Sequence, residues 1–281
     1  GVPDERPEFY DTTALAVHPL FPVAPEWELV MTARSAYGGL TPDEVRRGIH
    51  VEHDLVLHRA IRAGERVRVS ARVTAVGRRR AGATQRTLFT ATDEQGEVVW
   101  RTAMGSLYLG VDLAGESESI DDGWPERPAP PVGEPVAVRE SLVRAIDAHV
   151  YTECARIWNP IHTDVVAAQR AGLERPILHG TATLARGISI ATELAGVPIS
   201  SVTRVLGRFG AMVDLGTTIT VRLLGRDDHS LAFDVLTHDG RVAVADGYQN
   251  GRLAGTPERR SAAPLSEEYA GHVRTIAARR M

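Results

Sequence analysis

Residues 181–196 restrict the fold more than any other part of this 281-residue chain. The only charged residues in the segment are Arg186 and Glu193, so small and apolar side chains occupy nearly all sides of the predicted helix. A helix of that kind is found inside proteins rather than on their surface. The remainder of the chain therefore has to enclose this helix.

The segments on either side of the predicted helix have the patterns of antiparallel strands. Before it, alternation and β-branched residues predict strands over residues 51–57, 66–76, 85–92 and 98–109, preceded by a helix over residues 25–36 and a capped turn at 41–44. After it, strands are predicted over residues 201–209, 217–224, 231–237 and 242–253. The enclosing structure is therefore expected to be sheet.

A weak internal repeat divides the chain into two halves. Residues 64–69 (GERVRV) match residues 216–221 (GTTITV), and each half has a glycine turn before its last strand. An acid-, proline- and glycine-rich segment between the halves indicates a linker. We predict an α+β fold with these parts: an N-terminal half (1–113), a linker (114–136), a C-terminal half (137–255) and a tail (256–281) with a possible helix over 265–280.

Composition excludes several classes of function. A net charge of −4 gives no electrostatic reason to expect a nucleic-acid partner. Neither a membrane span nor a signal sequence is recognisable, so we expect no membrane contact and a cytoplasmic location. The chain has no lysine, which excludes Schiff-base chemistry, and its single cysteine, Cys154, excludes an internal disulfide. We expect Cys154 to be buried, and we expect no metal and no cofactor.

Two short motifs just before the buried helix carry the candidate chemistry. In the first, residues 158–162 (WNPIH) bring His162 out of apolar surroundings, and Thr163 is predicted to cap a helix that ends at Gly172. In the second, residues 175–180 (RPILHG) lead into the buried helix, so that Gly180 lies at its start. Free N–H groups at a helix start can bind a developing oxyanion.

Both motifs resemble the signature of the MaoC-like enoyl-CoA hydratases, whose motif is Asp-x-Asn-Pro-x-His and whose fold is the hot dog, a curved antiparallel sheet around a central helix. Two such halves in one chain resemble a double hot dog, two fused antiparallel sheets each wrapped around a helix. The resemblance implies an acid–base role for His162, an oxyanion role for Gly180 and an orienting role for Asn159. It also implies that His179 holds the turn before the helix and that the first half, which lacks the motif, accommodates the acyl chain.

The sequence departs from the family motif at the position of the aspartate, which is occupied by Ile157, and Ala155-Arg156 stands where Ser-Gly is usual. A positioned acid or base contributes about 10² to 10⁴ in rate. Either another residue therefore supplies the missing acid–base group, or the chain catalyses a reaction other than ordinary enoyl hydration. The candidates are Tyr151, Glu153 and Cys154 nearby, and His50, Glu52 and His53 in the first half. Strand alternation predicts that residues 50 and 52 share one face and that residue 53 lies on the other.

Several side chains are expected to line the substrate site, namely Tyr151, Ile157, Trp158 and His179. The resemblance implies an acyl thioester of CoA or of an acyl carrier protein as the partner, and the favoured function is a hydratase or dehydratase. Two alternatives stay open. The chain could cyclise or isomerise a polyketide-like intermediate, or it could be a non-catalytic acyl-binding subunit. A homodimer or pairing with a homologous subunit is possible in each case.

Overall fold

The computed structural model describes residues 16–37, 39–129, 133–251 and 274–276. The helices are α1 (Val23–Tyr37), α2 (Pro42–Arg46), α3 (Asp147–Ala155), α4 (Val165–Arg170) and α5 (Gly180–Leu194), with 3₁₀ turns at Pro160–His162 and Ile199–Ser201. The strands are β1 (Gly48–Leu57), β2 (Val67–Arg79), β3 (Gly82–Thr92), β4 (Val98–Leu109), β5 (Glu118–Ser119), β6 (Ala137–Leu142), β7 (Ile177–Leu178), β8 (Val202–Phe209), β9 (Val213–Asp214), β10 (Thr218–Arg226), β11 (Ser230–Leu236), β12 (Val242–Gly251) and β13 (Arg274–Ile276).

One eleven-stranded antiparallel sheet contains strands from both halves of the chain. Its order is β13-β2-β3-β4-β1-β8-β12-β11-β10-β6, with β5 beside β2, and β7 and β9 form a separate pair. The halves meet where β1 pairs with β8, with Glu52 opposite Arg208 and Leu55 opposite Val205. The predicted α+β class is confirmed, and the continuous sheet removes an edge that each half would otherwise expose.

Helix α5 lies on the inner face of the second half, as its composition predicts. Residues 181–192 are all buried, and the helix packs against β10, β11 and β12. Arg186 is buried within this helix because it pairs with Asp147 of α3 and donates to the Leu142 carbonyl at 3.0 Å. The side of the helix that carries the Arg186 guanidinium is therefore buried as well.

Two local predictions are wrong. The N-cap of α4 is Asp164, whose Oδ1 accepts from the Ala167 N–H at 2.6 Å, whereas Thr163 ends the preceding 3₁₀ turn. Both residue types cap helices well, so composition alone could not separate them. In the tail, residues 274–276 form a strand beside β2 instead of the predicted helix. The rest of that predicted helix lies outside the described residues.

The linker crosses the outer face of the sheet where the two halves meet. Asp54 of β1 accepts two hydrogen bonds from Arg204 of β8, at 2.9 and 3.0 Å, and a third from Trp124 of the linker at 2.8 Å. A second linker residue, Arg127, pairs with Glu52. A carboxylate with a bidentate arginine partner is well satisfied, so these contacts hold β1, β8 and the linker together. The boundaries that we assign to the two halves and the linker stay a prediction.

The first half contains a buried carboxyl group on α1. Glu26 is 3% exposed, and its Oε1 accepts hydrogen bonds from Trp100 Nε1 at 2.8 Å and Thr102 Oγ1 at 2.6 Å. Burial raises the pKa of Glu26 to about 8, because the two hydrogen bonds only partly offset the loss of hydration. The side chain is therefore protonated in the folded protein at neutral pH.

Stability is expected to be greatest near pH 6.5. Above the ordinary carboxyl pKa of 4.5, Glu26 is ionised in the unfolded chain but keeps its proton in the folded chain. The contribution of Glu26 to the free energy of unfolding therefore falls as the pH rises towards 8. Burial lowers the pKa of His53 to about 4 and that of His179 to about 3, so their contributions are lost as the pH falls below 6.5. Each proton changes the free energy of unfolding by roughly 1 to 2 kcal/mol per pH unit.

Replacing Glu26 by glutamine tests the alkaline side of this expected profile. The amide imitates the protonated carboxyl and cannot ionise, so Glu26→Gln should lose less stability between pH 6.5 and 8 than the wild type. Denaturant unfolding across pH measures the difference. A variant whose stability declines as steeply as that of the wild type would show that another group controls this range.

Candidate active site

The loop that carries the first motif is held by the end of α3 and by the 3₁₀ turn. Arg156 ends α3 with φ of 56°, in the left-handed conformation that favours glycine. The resemblance places a glycine at this position, and Arg156 here adopts a backbone conformation that glycine adopts at little cost. Asn159 then caps the 3₁₀ turn, with Oδ1 3.4 Å from the Ile161 nitrogen, and the turn directs His162 inwards.

His162 is the titratable group at the centre of the site. It is 8% exposed, and its Nδ1 lies 2.9 Å from the Ile177 carbonyl oxygen of β7. Because a carbonyl can only accept, Nδ1 carries the proton and the neutral ring keeps a lone pair on Nε2. Burial lowers the pKa of His162, although the bond to Ile177 opposes this. The ring is therefore a neutral base at pH 7.

His179 lies directly against His162 and immediately precedes α5. The two rings stack with their centroids 3.6 Å apart and an interplanar angle of 25°. His179 Nε2 lies 3.3 Å from Thr152 Oγ1 and 3.4 Å from the Ile157 carbonyl oxygen. Burial and, to a lesser extent, the neighbouring His162 lower the pKa of His179 to about 3, so that this ring also stays neutral. The stack brings His162 to the start of the helix that begins at Gly180.

Gly180 occupies a position that is closed on one side by Phe209 of β8. A Cβ added to Gly180 would lie 3.0 Å from Phe209 Cδ1 and 3.3 Å from Cε1, which is tighter than most side-chain contacts. As the first residue of α5, Gly180 has an N–H without a partner inside the helix, at the positive end of the helix dipole. The helix start is therefore suited to hold a negatively charged oxygen.

The residues expected to line the substrate site lie in different environments. Ile157 is 3% exposed and apolar, and Tyr151 packs 5.0 Å from the His179 ring with its hydroxyl bonded to the Thr181 side chain. Burial raises the pKa of Tyr151. Trp158, in contrast, is 61% exposed and donates to Glu153 at 3.4 Å. Cys154 is exposed, so the prediction that it is buried is wrong, because its side of α3 faces outwards.

The prediction for the faces of β1 is also wrong. His50 lies opposite Ser106 of β4 but Glu52 lies opposite Gly105, so Val51 is an extra residue in a β-bulge. A bulge reverses the alternation that follows it. His50 and His53 therefore share a face, with ring centroids 5.5 Å apart, while Glu52 reaches Arg127 of the linker.

Sequence reasoning missed two features of the site. Phe209 comes from β8, twenty-nine residues beyond Gly180, and no local pattern indicates that their atoms meet. Helix α3, which supplies Thr152 to His179, is short and has no strong apolar periodicity. In the described part of the chain, no group of three or more His, Cys, Asp or Glu side chains is placed to hold a metal, and no helix is long and apolar enough to cross a membrane.

Known proteins resemble this chain in sequence. Residues 128–241 match the family model for the MaoC like domain, and residues 1–102 match that for the FAS1-like dehydratase domain region. Enoyl-CoA hydratase ChsH3 of Mycobacterium tuberculosis is 30% identical over an alignment of length 227 that covers 73% of this chain and 74% of the relative.

Solved structures resemble it in fold. A MaoC-like dehydratase from Phytophthora capsici, at 19% identity, superposes with a TM-score of 0.76 over 89% of each chain. A Mycobacterium tuberculosis protein described as having a double hotdog fold, at 15% identity, superposes with a TM-score of 0.53 over 84% of this chain and 81% of that one. The expected double hot dog is confirmed, and the chain belongs to the MaoC-like hydratase and dehydratase family.

Proposed function

We propose that this protein hydrates an enoyl thioester, or dehydrates the corresponding 3-hydroxyacyl thioester, at the site between His162 and Gly180. The observation that carries the proposal is the stack of His162 on His179, which puts a neutral imidazole base beside the start of a buried helix. The family and the enoyl-CoA hydratase relative support this class of reaction. CoA or an acyl carrier protein is the proposed carrier of the substrate.

In the direction of dehydration, the thioester carbonyl accepts a hydrogen bond from the Gly180 N–H. Nε2 of His162 takes the proton from the α-carbon, and the helix start stabilises the negative charge that moves onto the carbonyl oxygen. The bond between the β-carbon and its hydroxyl then breaks, and the hydroxyl leaves as water after receiving a proton. Hydration follows the same steps in reverse.

The roles of the other site residues follow from their contacts. Asn159 can orient a water or hydroxyl group by hydrogen bonding but cannot take its proton. His179 supports the His162 ring and the turn before α5. Ile157 and Tyr151 form an apolar wall near these rings, and Trp158 is proposed to contact substrate only at the exposed mouth.

Hydration of a graded series of enoyl thioesters tests the proposed function. The substrates are crotonyl and longer enoyl groups, each on CoA and on an acyl carrier protein. Their turnover is measured as the loss of the conjugated enoyl absorbance. We expect turnover of at least one member by the purified chain alone. Absence of hydration across the series would contradict the proposal. Cyclisation or isomerisation by the chain, or activity that appears only with a homologous subunit, would then identify an alternative function.

The assembly and location of the protein are part of the same proposal. A homodimer, or a pair formed with a homologous subunit, is proposed as the assembly of the protein. A cytoplasmic location agrees with a CoA or carrier-protein substrate. Molecular mass in solution and cell fractionation measure these two properties.

A further inference from the structure

The proposed site assigns one hydrogen-bond donor to the thioester carbonyl, the Gly180 N–H. Negative charge develops on the carbonyl oxygen when the α-proton leaves, and preorganised donors that point at this oxygen lower the barrier. Such donors include side-chain hydroxyl groups as well as backbone N–H groups. A second donor to the same oxygen has to lie at the start of α5, because Gly180 is the first residue of that helix.

Tyr151 of α3 brings a hydroxyl group to the start of α5. Its hydroxyl is bonded to the side chain of Thr181, the residue that follows Gly180 in the first turn of the helix. Its ring lies 5.0 Å from the ring of His179, the residue that precedes Gly180. Tyr151 therefore contacts both chain neighbours of the residue that is proposed to hold the carbonyl oxygen.

The direction of the bond between Tyr151 and Thr181 determines what the phenolic hydrogen can do. This bond lowers the pKa of Tyr151, which is the effect of a donor on the phenolic oxygen, so the Thr181 hydroxyl donates and the Tyr151 oxygen accepts. The phenolic hydrogen is not used in the bond. Burial has the larger influence and raises the pKa of Tyr151, so the hydroxyl keeps its hydrogen at neutral pH. Such a group is a hydrogen-bond donor and not an acid.

Helix α3, which carries Tyr151, is fixed against α5. Thr152 Oγ1 lies 3.3 Å from His179 Nε2, and Asp147 of α3 pairs with the buried Arg186 of α5. These contacts join the two helices at both ends of α3. The Tyr151 hydroxyl is therefore held in place before a substrate binds, and a donor that is already oriented needs no reorganisation during the reaction.

The surroundings of Tyr151 leave it within reach of a bound molecule. Tyr151 is partly exposed, whereas Thr181 and His179 are buried. Phe209 of β8 closes one side of Gly180, where an added Cβ would lie 3.0 Å from the ring. A carbonyl group therefore has to approach Gly180 from a side that Phe209 leaves open, and Tyr151, which comes from α3, is not part of the closed side.

We propose that Tyr151 is a further catalytic residue of this site, and that its hydroxyl donates a second hydrogen bond to the thioester carbonyl oxygen beside the Gly180 N–H. In dehydration, His162 takes the α-proton and the carbonyl oxygen gains negative charge, which the two donors share. The charge returns to carbon as the bond to the β-hydroxyl breaks. Tyr151 keeps its proton throughout and forms no covalent bond. This inference rests on the proposed function.

The variant Tyr151→Phe removes the hydroxyl and keeps the ring that packs on His179. The carbonyl oxygen carries negative charge both in hydration of an enoyl thioester and in exchange of the α-proton of a saturated acyl thioester with D₂O. We expect Tyr151→Phe to lower the kcat of hydration and the rate of exchange by about 10² to 10³, the usual effect of removing one such donor, with little change in KM. The matched control is Tyr248→Phe, the same change at a partly exposed tyrosine of β12, which should leave both rates unchanged.

The carbonyl stretching frequency of bound butyryl-CoA, labelled with ¹³C at the carbonyl, measures the hydrogen bonds without turnover. We expect a lower frequency on the wild type than in water, and a higher frequency on Tyr151→Phe than on the wild type. Tyr248→Phe should match the wild type. A purely structural role of Tyr151 would change the amount of butyryl-CoA that binds but not the frequency of the bound carbonyl.

Each other result has a distinct meaning. Rates and a carbonyl frequency in Tyr151→Phe that equal those of the wild type would overturn the assignment. Slower hydration with unchanged exchange and unchanged frequency would overturn it as well, because Tyr151 would then act on the departing hydroxyl instead of the carbonyl. A wild type that hydrates no enoyl thioester contradicts the proposed function itself, and this result is obtained before any variant is made.

Discussion

Replacing His162 by glutamine is expected to lower the rate of hydration by about 10² to 10⁴, the usual contribution of a positioned acid–base group. Glutamine has no basic nitrogen, so the α-proton cannot be taken or returned. For the same reason, α-proton exchange of a saturated thioester should be lost. Steady-state kinetics and exchange followed by NMR measure both rates.

A structural effect of this substitution has to be separated from the chemical one. The Ile177 carbonyl would lose its imidazole donor, and a buried carbonyl without a partner costs about 1 to 3 kcal/mol. Denaturant unfolding of His162→Gln measures this cost, and His229→Gln, an exposed histidine of the same half, is the matched control for activity. A folded His162→Gln that still hydrates near the wild-type rate would contradict the assigned site.

Removal of the Asp147 carboxylate is expected to have the largest effect on stability. The Asp147 side chain is 5% exposed. It forms an ion pair with Arg186, whose side chain is 10% exposed, and a second ion pair with Arg144 at 2.9 Å. Asp147→Leu would leave the Arg186 guanidinium buried without its counter-charge. Breaking one side of a buried ion pair typically costs about 3 to 5 kcal/mol. Equilibrium unfolding in denaturant measures the loss.

The double variant Asp147→Leu/Arg186→Met distinguishes an unpaired charge from lost packing. Replacing both partners by apolar side chains leaves no buried charge, so the double variant should be more stable than Asp147→Leu alone. If the effects of the two single changes simply add, the pair does not interact as the structure indicates. The result bears on function because this ion pair joins α5 to α3, the two helices that position Gly180 and the first motif.

The sequence was sufficient to predict the central helix and most of the strands. With two charges in sixteen residues, α5 could be stable only inside the protein, and alternation located the strands around it. The pairing that makes this burial possible was not predictable, because Asp147 lies thirty-nine residues from Arg186 and meets it only in the folded protein. Sequence pattern thus predicts which elements are buried more readily than it predicts their partners.

The candidate site was only partly predictable for a similar reason. The local motifs are continuous in sequence, so His162, Asn159, His179 and Gly180 could be chosen together. The faces of β1 could not be predicted correctly, because counting alternate residues assumes a regular strand and the bulge at Val51 breaks that regularity. A single extra residue moved His53 to the face of His50 and left Glu52 on the other side.

The most direct test of the proposed site is a crystal structure with a saturated acyl thioester, which keeps the carbonyl oxygen but cannot be hydrated. We expect the carbonyl oxygen to lie about 3 Å from the Gly180 nitrogen and the α-carbon to face His162 Nε2 at about 3 to 3.5 Å. A carbonyl bound elsewhere, or His162 and Gly180 facing separate cavities, would contradict the proposal that these two groups act on the same substrate.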